Sequence, residues 1–491
     1  MRLSRALWFC RPLLPGLALL LAACGEPESR PLNIVLILAD DLGWRDTGVY
    51  GSEYYQTPNI DLLAAEGLRF TQAYAASPLC SPTRASIVTG YHPAFLRFTK
   101  ASGPEDEAVD FPTQMPVTAT SNRAVVQPPS ATRLALEYKT VGSYLKEAGY
   151  STGFFGKWHL GGDASLPDRR GYDVVMPGGS FPGLEHYYSP YHLTDFEDGP
   201  VGEHLDQRLA NEAVAFVQQV LEGQGDRPFF LSFWPFSPHY PFQANMQLRK
   251  KYLRSRDPDY PQNYPLMAGM IEELDTSLGI LFAGLKAAGA WHNTVIIFMS
   301  DHGGVDWMGP TPETPIPTDN FPLRGGKAQI YEGGIRVPLI VRWPGQVPAQ
   351  QVSEQLVSSE DLFATILHIA GIDRHKRQIN HSHSLYPMLT AQAGGTTRTS
   401  VMVHFPHYVK RLNGSPASSI REGRWKLIHN YATAGEGARA EIHELYDLER
   451  DLGELNSLAA QRPELVDSMR RKLDAELKRM DALLPISNPL F

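Results

Sequence analysis

Unbroken apolar runs alternate along this chain with segments of helical periodicity. The clearest run, residues 33–39, is rich in β-branched side chains and predicts a strand buried on both faces of a parallel sheet. Further strand-like runs lie at residues 68–74, 152–155, 228–234, 294–299 and 338–342. Helix-like segments lie between them, at residues 59–66, from residue 80 onward, and at residues 140–148, 205–221 and 266–288. This alternation predicts an α/β fold with a large, mostly parallel central sheet flanked by helices.

The pattern changes after about residue 397. Short segments at residues 401–405, 419–421, 425–428 and 444–447 have the pattern of antiparallel strands, and a helix is expected near residues 463–483. We therefore predict a main domain, which would carry the functional site, over residues 31–396, and a small C-terminal α+β subdomain with an antiparallel sheet over residues 397–491. Proline-rich residues 93–135 and 305–323 are expected to form long loops, which in compact domains usually have a function.

The N-terminus has the pattern of an export signal. Three arginines within the first eleven residues precede an apolar run, residues 13–23, that is short for a membrane span. We therefore predict a signal peptide over residues 1–23. Residues 21–24, Leu-Ala-Ala-Cys, resemble the bacterial lipobox, which implies lipidation of Cys24 and a tether over residues 24–30. The protein would then be a membrane-anchored lipoprotein, periplasmic or at the cell surface; an ordinary signal peptide with an incidental cysteine is the alternative.

Composition and charge restrict the class of partner. The 491 residues are 43% hydrophobic and 20% charged, as expected of a globular protein and not of a disordered one. The formal net charge is -8, and loss of the basic signal peptide would make it more negative. This balance argues against general nucleic-acid binding. An anionic substrate would have to be attracted by a local positive site.

One cysteine has no obvious disulfide partner. The chain contains only Cys10, Cys24 and Cys80, so loss of the signal peptide and lipidation of Cys24 would leave Cys80 alone. Cys80 begins the sequence Cys-Ser-Pro-Thr-Arg at a predicted helix start, where Pro82 is tolerated and free N–H groups favour anions. Arg84 adds a fixed positive charge. The alternative is a buried thiol that packs as a small apolar side chain.

Acidic residues follow two of the predicted strands. Asp40 and Asp41 come directly after the first strand, and Asp301 and His302 follow the strand at residues 294–299. The carboxyl ends of parallel strands meet at one edge of a sheet, so three carboxylates would converge and repel each other unless a hard cation, Ca²⁺ or Mg²⁺, lay between them. Paired aspartates that cap helices or turns are the alternative.

Lysines and histidines lie in short, distinctive segments. Residues 156–161, Gly-Lys-Trp-His-Leu-Gly, contain Lys157 and His159, and His239 lies in a Ser-Pro-His-Tyr-Pro turn. Lys327 lies in a glycine-rich segment, where the backbone can approach a small anion closely. Each side chain could supply charge or exchange a proton with an anionic substrate. A surface lysine, a packed histidine and a turn histidine are the ordinary alternatives.

In their order along the chain, these segments resemble the signatures of the formylglycine-dependent, arylsulfatase-A-like sulfatases of the alkaline phosphatase superfamily. The resemblance runs from about residue 31 to the C-terminus, includes the Cys-x-Pro-x-Arg motif at Cys80, and is most specific in residues 323–338. It implies that a formylglycine-generating enzyme oxidises Cys80 to Cα-formylglycine, an aldehyde. It also implies a divalent cation, calcium or else magnesium, bound by Asp40, Asp41, residue 80, Asp301 and His302. His302 stands where the family often has Asn, which leaves the metal preference open.

The resemblance further implies hydrolysis of sulfate monoesters by covalent catalysis. The hydrated aldehyde would attack sulfur, with its charge held by the metal and Arg84. Lys157 and Lys327 would stabilise the sulfuryl oxygens. His239 would protonate the leaving alcohol, and His159 would then take a proton from the second hydroxyl so that sulfate leaves and the aldehyde is restored.

The remaining implications concern the substrate and its surroundings. His404 and His407 lie in a segment that resembles the family's C-terminal subdomain and are candidate substrate contacts, although packing roles are left open. Glu332 and Arg336 are expected to pair behind the site. For an exported, tethered sulfatase, the analogy favours a sulfated carbohydrate as substrate. The alternatives are a phosphate or phosphonate ester hydrolase of the same superfamily and a non-catalytic lipoprotein that binds sulfated glycans.

Overall fold

The computed structural model describes residues 30–102, 109–110, 120–223, 227–306, 316–372, 381–392 and 398–491. The predicted signal peptide, Cys24 and the tether up to residue 29 lie outside the described residues, as do parts of both predicted loops and the predicted domain boundary at residues 396–397. Residues Pro31–Phe491 form one structural unit. Among the described residues, no helix combines the length and apolar character needed to cross a membrane.

The strands, in chain order, are β1 Asn33–Ala39, β2 Leu68–Tyr74, β3 Val125–Val126, β4 Ser151–Gly156, β5 Val174–Met176, β6 Phe229–Trp234, β7 Thr294–Ser300, β8 Arg336–Arg342, β9 Gln351–Ser353, β10 Val357–Ser358, β11 Ser400–Phe405, β12 Ala417–Glu422, β13 Trp425–Asn430, β14 His443–Asp447 and β15 Ile486–Ser487. The helices are α1 Pro58–Ala65, α2 Cys80–Thr89, α3 Pro93–Leu96, α4 Val141–Glu147, α5 Leu205–Gly223, α6 Met246–Arg254, α7 Pro265–Ala287, α8 Glu332–Ile335, α9 Asp361–Ile369, α10 Tyr386–Leu389 and α11 Pro463–Arg479.

The central sheet confirms the predicted fold class. Its strand order is β10-β2-β8-β7-β1-β6-β4-β5, and β9 also pairs with β2. Only β8 runs antiparallel to its neighbours, β2 and β7, while the other pairs in this sheet are parallel. The carboxyl ends of β1, β4, β6 and β7 therefore lie at the same edge of the sheet, and the segments that follow them can contribute to one site.

Strand β1 lies at the centre of this sheet and separates two apolar layers. Because successive side chains of a strand point to opposite faces, its residues divide between two core clusters. Ile34, Leu36 and Leu38 belong to one cluster, and Val35, Ile37 and Ala39 belong to the other. The prediction of a strand buried on both faces is thus confirmed, and the chain leaves the core directly into Asp40.

The two longest of the helices that were not predicted from the sequence are α6 and α9. Helix α6 is mostly polar and buries only Tyr252, so few apolar side chains mark it in the sequence. Helix α9 is the opposite case, since eight of its nine residues are buried, and a buried, mostly apolar segment of this length cannot be distinguished from a buried strand by its pattern alone. Within the predicted loop 93–135 lie the short α3 and β3, and β3 pairs with β15 near the C-terminus.

The C-terminal region forms the predicted antiparallel sheet, β11-β12-β13-β14, followed by α11. Helix α11 packs Met469 and Leu473 against Leu427 and Leu445 of the sheet. In a further core cluster, residues of this antiparallel sheet such as Ile428 pack with residues of the central sheet such as Tyr74. A buried group of charges, Lys426 with Glu332 and Glu454, joins the same two regions. We call these three residues the junction cluster.

Candidate active site

The carboxylates after β1 and β7 converge as predicted. The two strands pair in parallel register up to Ala39 and Ser300, which brings Asp40, Asp41 and Asp301 together. The backbone N–H of Asp41 donates to Asp301 Oδ1 at 3.2 Å, and all three side chains are buried. Asp41 also has a left-handed backbone with φ of 66°, a conformation unusual for a residue other than glycine and typical of functional sites.

Cys80 reaches this group of acids from the first turn of α2. Its Sγ lies 3.6 Å from Asp40 Oδ1 and 3.1 Å from His302 Nε2. One ligand atom from each of Asp40, Asp41, Cys80 and His302 lies within 4.8 Å of all the others. Asp301 Oδ1 is 3.5 Å from the same His302 nitrogen. All five residues predicted from the resemblance to bind metal therefore lie side by side.

Arg84 lies one turn after Cys80 and is fully buried. Its guanidinium contacts Asp301 Oδ2 at 3.0 and 2.9 Å and Asp40 Oδ1 at 3.3 Å, and it lies 5.3 Å from the ring centroid of Trp234. Although burial opposes its charge, the carboxylates raise the pKa of Arg84, Asp301 most strongly. The arginine is therefore a permanent cation beside residue 80.

The two predicted lysines each contact one acid. Lys157 Nζ donates to Asp40 Oδ2 at 2.6 Å and lies 3.7 Å from Cys80 Sγ. Lys327 Nζ donates to both carboxylate oxygens of Asp41, at 2.6 and 2.8 Å. Gly156 lets the chain turn after β4, because its φ is 123° and a Cβ there would lie 1.8 Å from the Trp234 carbonyl oxygen. We call the three acids, Arg84, these two lysines and His302 the catalytic cluster.

The pKa values of the three acids in the catalytic cluster are shifted in different directions. Burial tends to raise the pKa of Asp40 and Asp41, but nearby cations, Lys157 for Asp40 and Lys327 for Asp41, hold both values below the usual range. Burial dominates at Asp301 and raises its pKa. Ionised Asp40 and Asp41 provide hard oxygen ligands.

His302 is oriented so that one nitrogen faces the acids. Its Nδ1 lies 2.9 Å from the Gly303 carbonyl oxygen, which assigns the proton to Nδ1 and leaves Nε2 towards the cluster. Burial opposes a charged imidazole, but Asp301 above all raises the pKa of His302 well above its usual value. The same Nε2 can carry a proton or bind a cation, and the two exclude each other.

His159 has the geometry of a proton acceptor. Its Nε2 lies 2.7 Å from the Ser102 carbonyl oxygen, which assigns the proton to Nε2 and leaves Nδ1 as an acceptor. Nδ1 is buried and has no hydrogen-bond partner among the described residues. Burial, and next the charge of Lys157, lower the pKa of His159 well below its usual value. The imidazole is therefore neutral near pH 7.

His239 lies at the exposed side of the cluster. Its Nδ1 donates to the Tyr240 carbonyl oxygen at 2.7 Å, and its Nε2 lies 3.9 Å from Asp41 Oδ2. Burial, followed by the charges of Lys157 and Lys327, lowers the pKa of His239 to about 4. Its side chain is 18% exposed, whereas that of Asp41 is 1% exposed, which makes His239 the more accessible group to an incoming substrate.

The two C-terminal histidines, His404 and His407, contact residues outside the catalytic cluster. His404 is buried, and its nitrogens lie 2.7 Å from Ser418 Oγ and 3.1 Å from the Leu483 carbonyl oxygen. His407 is also buried, with Nε2 2.8 Å from Thr99 Oγ1. Burial lowers the pKa of His404 to about 4 and that of His407 to about 3. These contacts fit the packing roles that the sequence left open.

The expected pair behind the site is present, and several supporting groups were not predicted. Arg336 Nη1 lies 3.5 Å from Glu332 Oε2. The Ser102 carbonyl at His159 and the Trp234 ring at Arg84 carry no sequence signal, because a backbone oxygen is common to every residue and a strand-end tryptophan usually belongs to the core. Asp206 and Tyr187, which contact the His239 turn, were also missed.

Comparisons with known proteins agree with this geometry. The sulfatase family model matches residues 32–372, and the model of the N-sulphoglucosamine sulphohydrolase C-terminal region matches residues 326–482. Arylsulfatase A of Homo sapiens is 32% identical to this chain, with 93% of this chain and 90% of that protein covered. N-acetylgalactosamine-6-sulfatase of Rattus norvegicus is 33% identical, with 78% and 70% covered.

A solved structure supports the same assignment. The crystal structure of Ps i-CgsB in complex with k-i-k-neocarrahexaose superposes with a TM-score of 0.71 at 27% identity and covers 91% of this chain and 93% of that one. The family match extends over every strand of the central sheet and contains Asp40, Cys80 and Lys157. The protein is a member of the sulfatase family, and thus a sulfuric ester hydrolase.

Proposed function

We propose that this sulfuric ester hydrolase removes sulfate from saccharides, with formylglycine formed from Cys80 and a calcium ion bound in the catalytic cluster. The observation that carries the proposal is the position of Cys80, a buried thiol at a helix N-terminus within 3.7 Å of Asp40, Lys157 and His302. A thiol with only a packing role would have no reason to lie against a carboxylate, an ammonium and an imidazole.

The donor set supports a hard cation once residue 80 is modified. Asp40, Asp41 and Asp301 would supply carboxylate oxygens and His302 its Nε2, while residue 80 would supply sulfur as cysteine or oxygen as formylglycine. Sulfur and nitrogen favour softer metals such as zinc, whereas oxygen donors favour Ca²⁺ or Mg²⁺. When bound, the cation would polarise the sulfate group and help to keep the nucleophile ionised.

The fixed charges around residue 80 would hold the sulfate group. Formylglycine would supply a hydrated aldehyde as nucleophile and a route for releasing sulfate without attack at sulfur. Lys157, Lys327 and the N-terminus of α2 would stabilise negative charge on the sulfuryl oxygens. Arg84, held between Asp40 and Asp301, would keep residue 80 in an electropositive environment.

Two histidines would handle the protons, one for each half of the reaction. His239 would give a proton to the leaving oxygen, and a bound sulfate anion would favour the protonated imidazole by raising its pKa from about 4. His159 would accept a proton at Nδ1, the nitrogen without a partner among the described residues. The two roles follow from the tautomers. The Tyr240 carbonyl oxygen holds a proton on His239 Nδ1, and the Ser102 carbonyl oxygen holds the proton of His159 on Nε2.

Relatives favour a saccharide as the substrate. One is named for the 6-sulfate of N-acetylgalactosamine, and one solved relative holds a neocarrahexaose. The predicted export signal and lipidation at Cys24 would place the enzyme where extracellular polysaccharides are available. Incorporation of labelled palmitate into the wild-type protein, and not into Cys24→Ser, tests the lipid anchor.

The direct test of the function combines maturation with a substrate panel. The protein is expressed with and without a formylglycine-generating enzyme, and release of sulfate is measured on defined sulfated saccharides and on the matching phosphate esters. We expect desulfation only in the matured sample and much slower release of phosphate. Equal desulfation by the two samples, or faster release of phosphate, would refute the proposal. Metal content is measured in both samples, because the thiol form has the softer donor set.

A further inference from the structure

The turn that carries His239 is held by two side chains outside every predicted motif. The Asp206 carboxylate, in the first turn of α5, accepts hydrogen bonds from the backbone N–H groups of Phe236 and Ser237, both at 3.0 Å. The Tyr187 hydroxyl lies 2.7 Å from the carbonyl oxygens of both Phe236 and His239. Asp206 and Tyr187 are fully buried, so these contacts do not compete with solvent.

The same turn is also connected to the acids of the catalytic cluster. The backbone N–H of Asp40 donates to the Ser237 carbonyl oxygen at 3.3 Å, and the N–H of His239 donates to the Phe236 carbonyl oxygen at 3.0 Å. His239 Nε2 lies 3.9 Å from Asp41. A shift of the turn would therefore move the His239 ring relative to the acids and to any sulfate held beside them.

The chemistry of the two side chains suits a rigid support. A buried carboxylate that accepts two N–H groups makes charge-assisted hydrogen bonds, which are stronger than those between neutral groups. Burial, and next the charge of Asp206, raise the pKa of Tyr187 well above its usual value, so its hydroxyl remains a donor. The Tyr187 ring also stacks on His204, with ring centroids 5.5 Å apart and planes at 18°. Both the N–H and the C=O sides of the turn are therefore fixed.

We propose that Asp206 and Tyr187 are positioning residues that hold His239 for proton transfer to the leaving oxygen. This inference rests on the proposed function. In the step concerned, the bond between sulfur and the alcohol oxygen breaks, its electron pair stays on that oxygen, and the sulfuryl group passes to the nucleophile at residue 80. The proton on His239 Nε2 moves to the alcohol oxygen, and the imidazole is left neutral with its remaining proton on Nδ1, bonded to the Tyr240 carbonyl oxygen.

If Asp206 and Tyr187 position His239, the loss of activity in their variants should depend on the leaving group of the substrate. An oxygen that leaves as a stable anion needs no proton, whereas a poor leaving group depends on the general acid. Small displacements of a catalytic group cost much of its contribution. Loss of the support should therefore slow substrates with poor leaving groups much more than substrates with good ones. A purely structural role would slow both alike.

The experiment compares kcat/KM for phenyl sulfate and 4-nitrophenyl sulfate in Tyr187→Phe and Asp206→Asn. We expect a loss of about tenfold or more on phenyl sulfate and of less than about threefold on 4-nitrophenyl sulfate. His239→Ala removes the proposed general acid and therefore gives the largest difference expected between the two substrates. Tyr172→Phe is the matched control, because Tyr172 is equally buried and its hydroxyl lies 3.0 Å from Ser232 Oγ in the core. Tyr172→Phe should change kcat/KM by the same factor for the two substrates.

Equal losses on the two substrates, or no loss on either, would overturn the positioning role. Should Asp206→Asn fail to fold, Tyr187→Phe decides the question, since it removes one hydroxyl and keeps the ring stacked on His204. Cys80→Ala separates this inference from the proposed function. If Cys80→Ala keeps turnover, the proposed function fails, whereas if it is inactive and Tyr187→Phe behaves like Tyr172→Phe, only the positioning role fails.

Discussion

The junction cluster and the catalytic cluster are both buried groups of opposite charges, but they are built differently. In the junction cluster, Lys426 Nζ lies 3.0 Å from Glu332 and 2.8 Å from Glu454, and Glu454 also accepts the Glu332 N–H at 2.6 Å. Glu332 and Lys426 belong to a helix and a strand, α8 and β13. In the catalytic cluster, Asp40 and Asp41 lie beyond the end of a strand, and Asp41 has a left-handed backbone.

The difference separates charges that stabilise the fold from charges arranged for chemistry. Lys426 is shared between Glu332 from the region of the central sheet and Glu454 from the C-terminal region, so its charge is neutralised within the protein. The cations and acids of the catalytic cluster surround residue 80, and His159, which lies outside that cluster, has no partner for Nδ1 among the described residues. We therefore expect changes in the catalytic cluster to abolish turnover in a folded protein, and changes in the junction cluster to lower stability while kcat is maintained.

The largest expected effect is that of Cys80→Ala. Removal of the group that becomes the nucleophile should lower kcat by about 10³-fold or more. The cavity left by one sulfur atom at a helix start should cost little stability. Turnover is measured with 4-nitrophenyl sulfate, and unfolding is measured by circular dichroism. A variant that keeps wild-type turnover would show that residue 80 has no chemical role.

Removal of the cation should have the next largest effect. Chelation followed by dialysis is expected to lower turnover by about 10²-fold or more, because the charge that polarises the sulfate is lost, and Ca²⁺ or Mg²⁺ should restore it. Metal content is confirmed by mass spectrometry of the dialysed sample. Full activity in a sample without metal would exclude a catalytic cation.

Lys426→Met tests whether the junction cluster serves stability. It leaves two buried glutamates without their shared cation, which should lower the free energy of unfolding by about 3–5 kcal/mol and leave kcat of the folded enzyme unchanged. Urea unfolding provides the measurement. Lys472→Met is the matched control, because Lys472 is half-exposed and pairs with Glu422 on the surface, so little change is expected. A selective loss of kcat in Lys426→Met would contradict the assignment of the junction cluster to stability.

The smallest expected effect is on the pH dependence of stability. Burial, and further the charge of Glu332, raise the pKa of Glu454 from 4.5 to about 7. The folded state therefore binds this proton more tightly than the unfolded state, so stability should fall as pH rises from about 4.5 to about 7. Glu454→Gln should flatten the stability curve in this interval. An unchanged slope in the variant would show that Glu454 does not titrate there.

The sequence predicted the parts of the site that local patterns encode. Asp40 and Asp41 follow an unmistakable buried strand, and the Cys80 motif resembles a known family when it is taken together with the other segments, so their convergence could be expected. Asp206 and Tyr187 could not be found this way, because an acid in the first turn of a helix and a loop tyrosine have many ordinary uses. His404 shows the reverse problem, since a histidine that packs against Ser418 and Leu483 looks the same in sequence as one that binds substrate.

The central claim is that residue 80 works as an aldehyde inside the catalytic cluster. The most direct test measures, in the same preparations, the fraction of the residue 80 peptide that has become formylglycine by mass spectrometry and the sulfate released per molecule of enzyme. Preparations with different degrees of maturation should give turnover proportional to the converted fraction, reaching zero for the pure thiol. Turnover that is independent of this fraction, or full activity with Cys80 unmodified, would contradict the account.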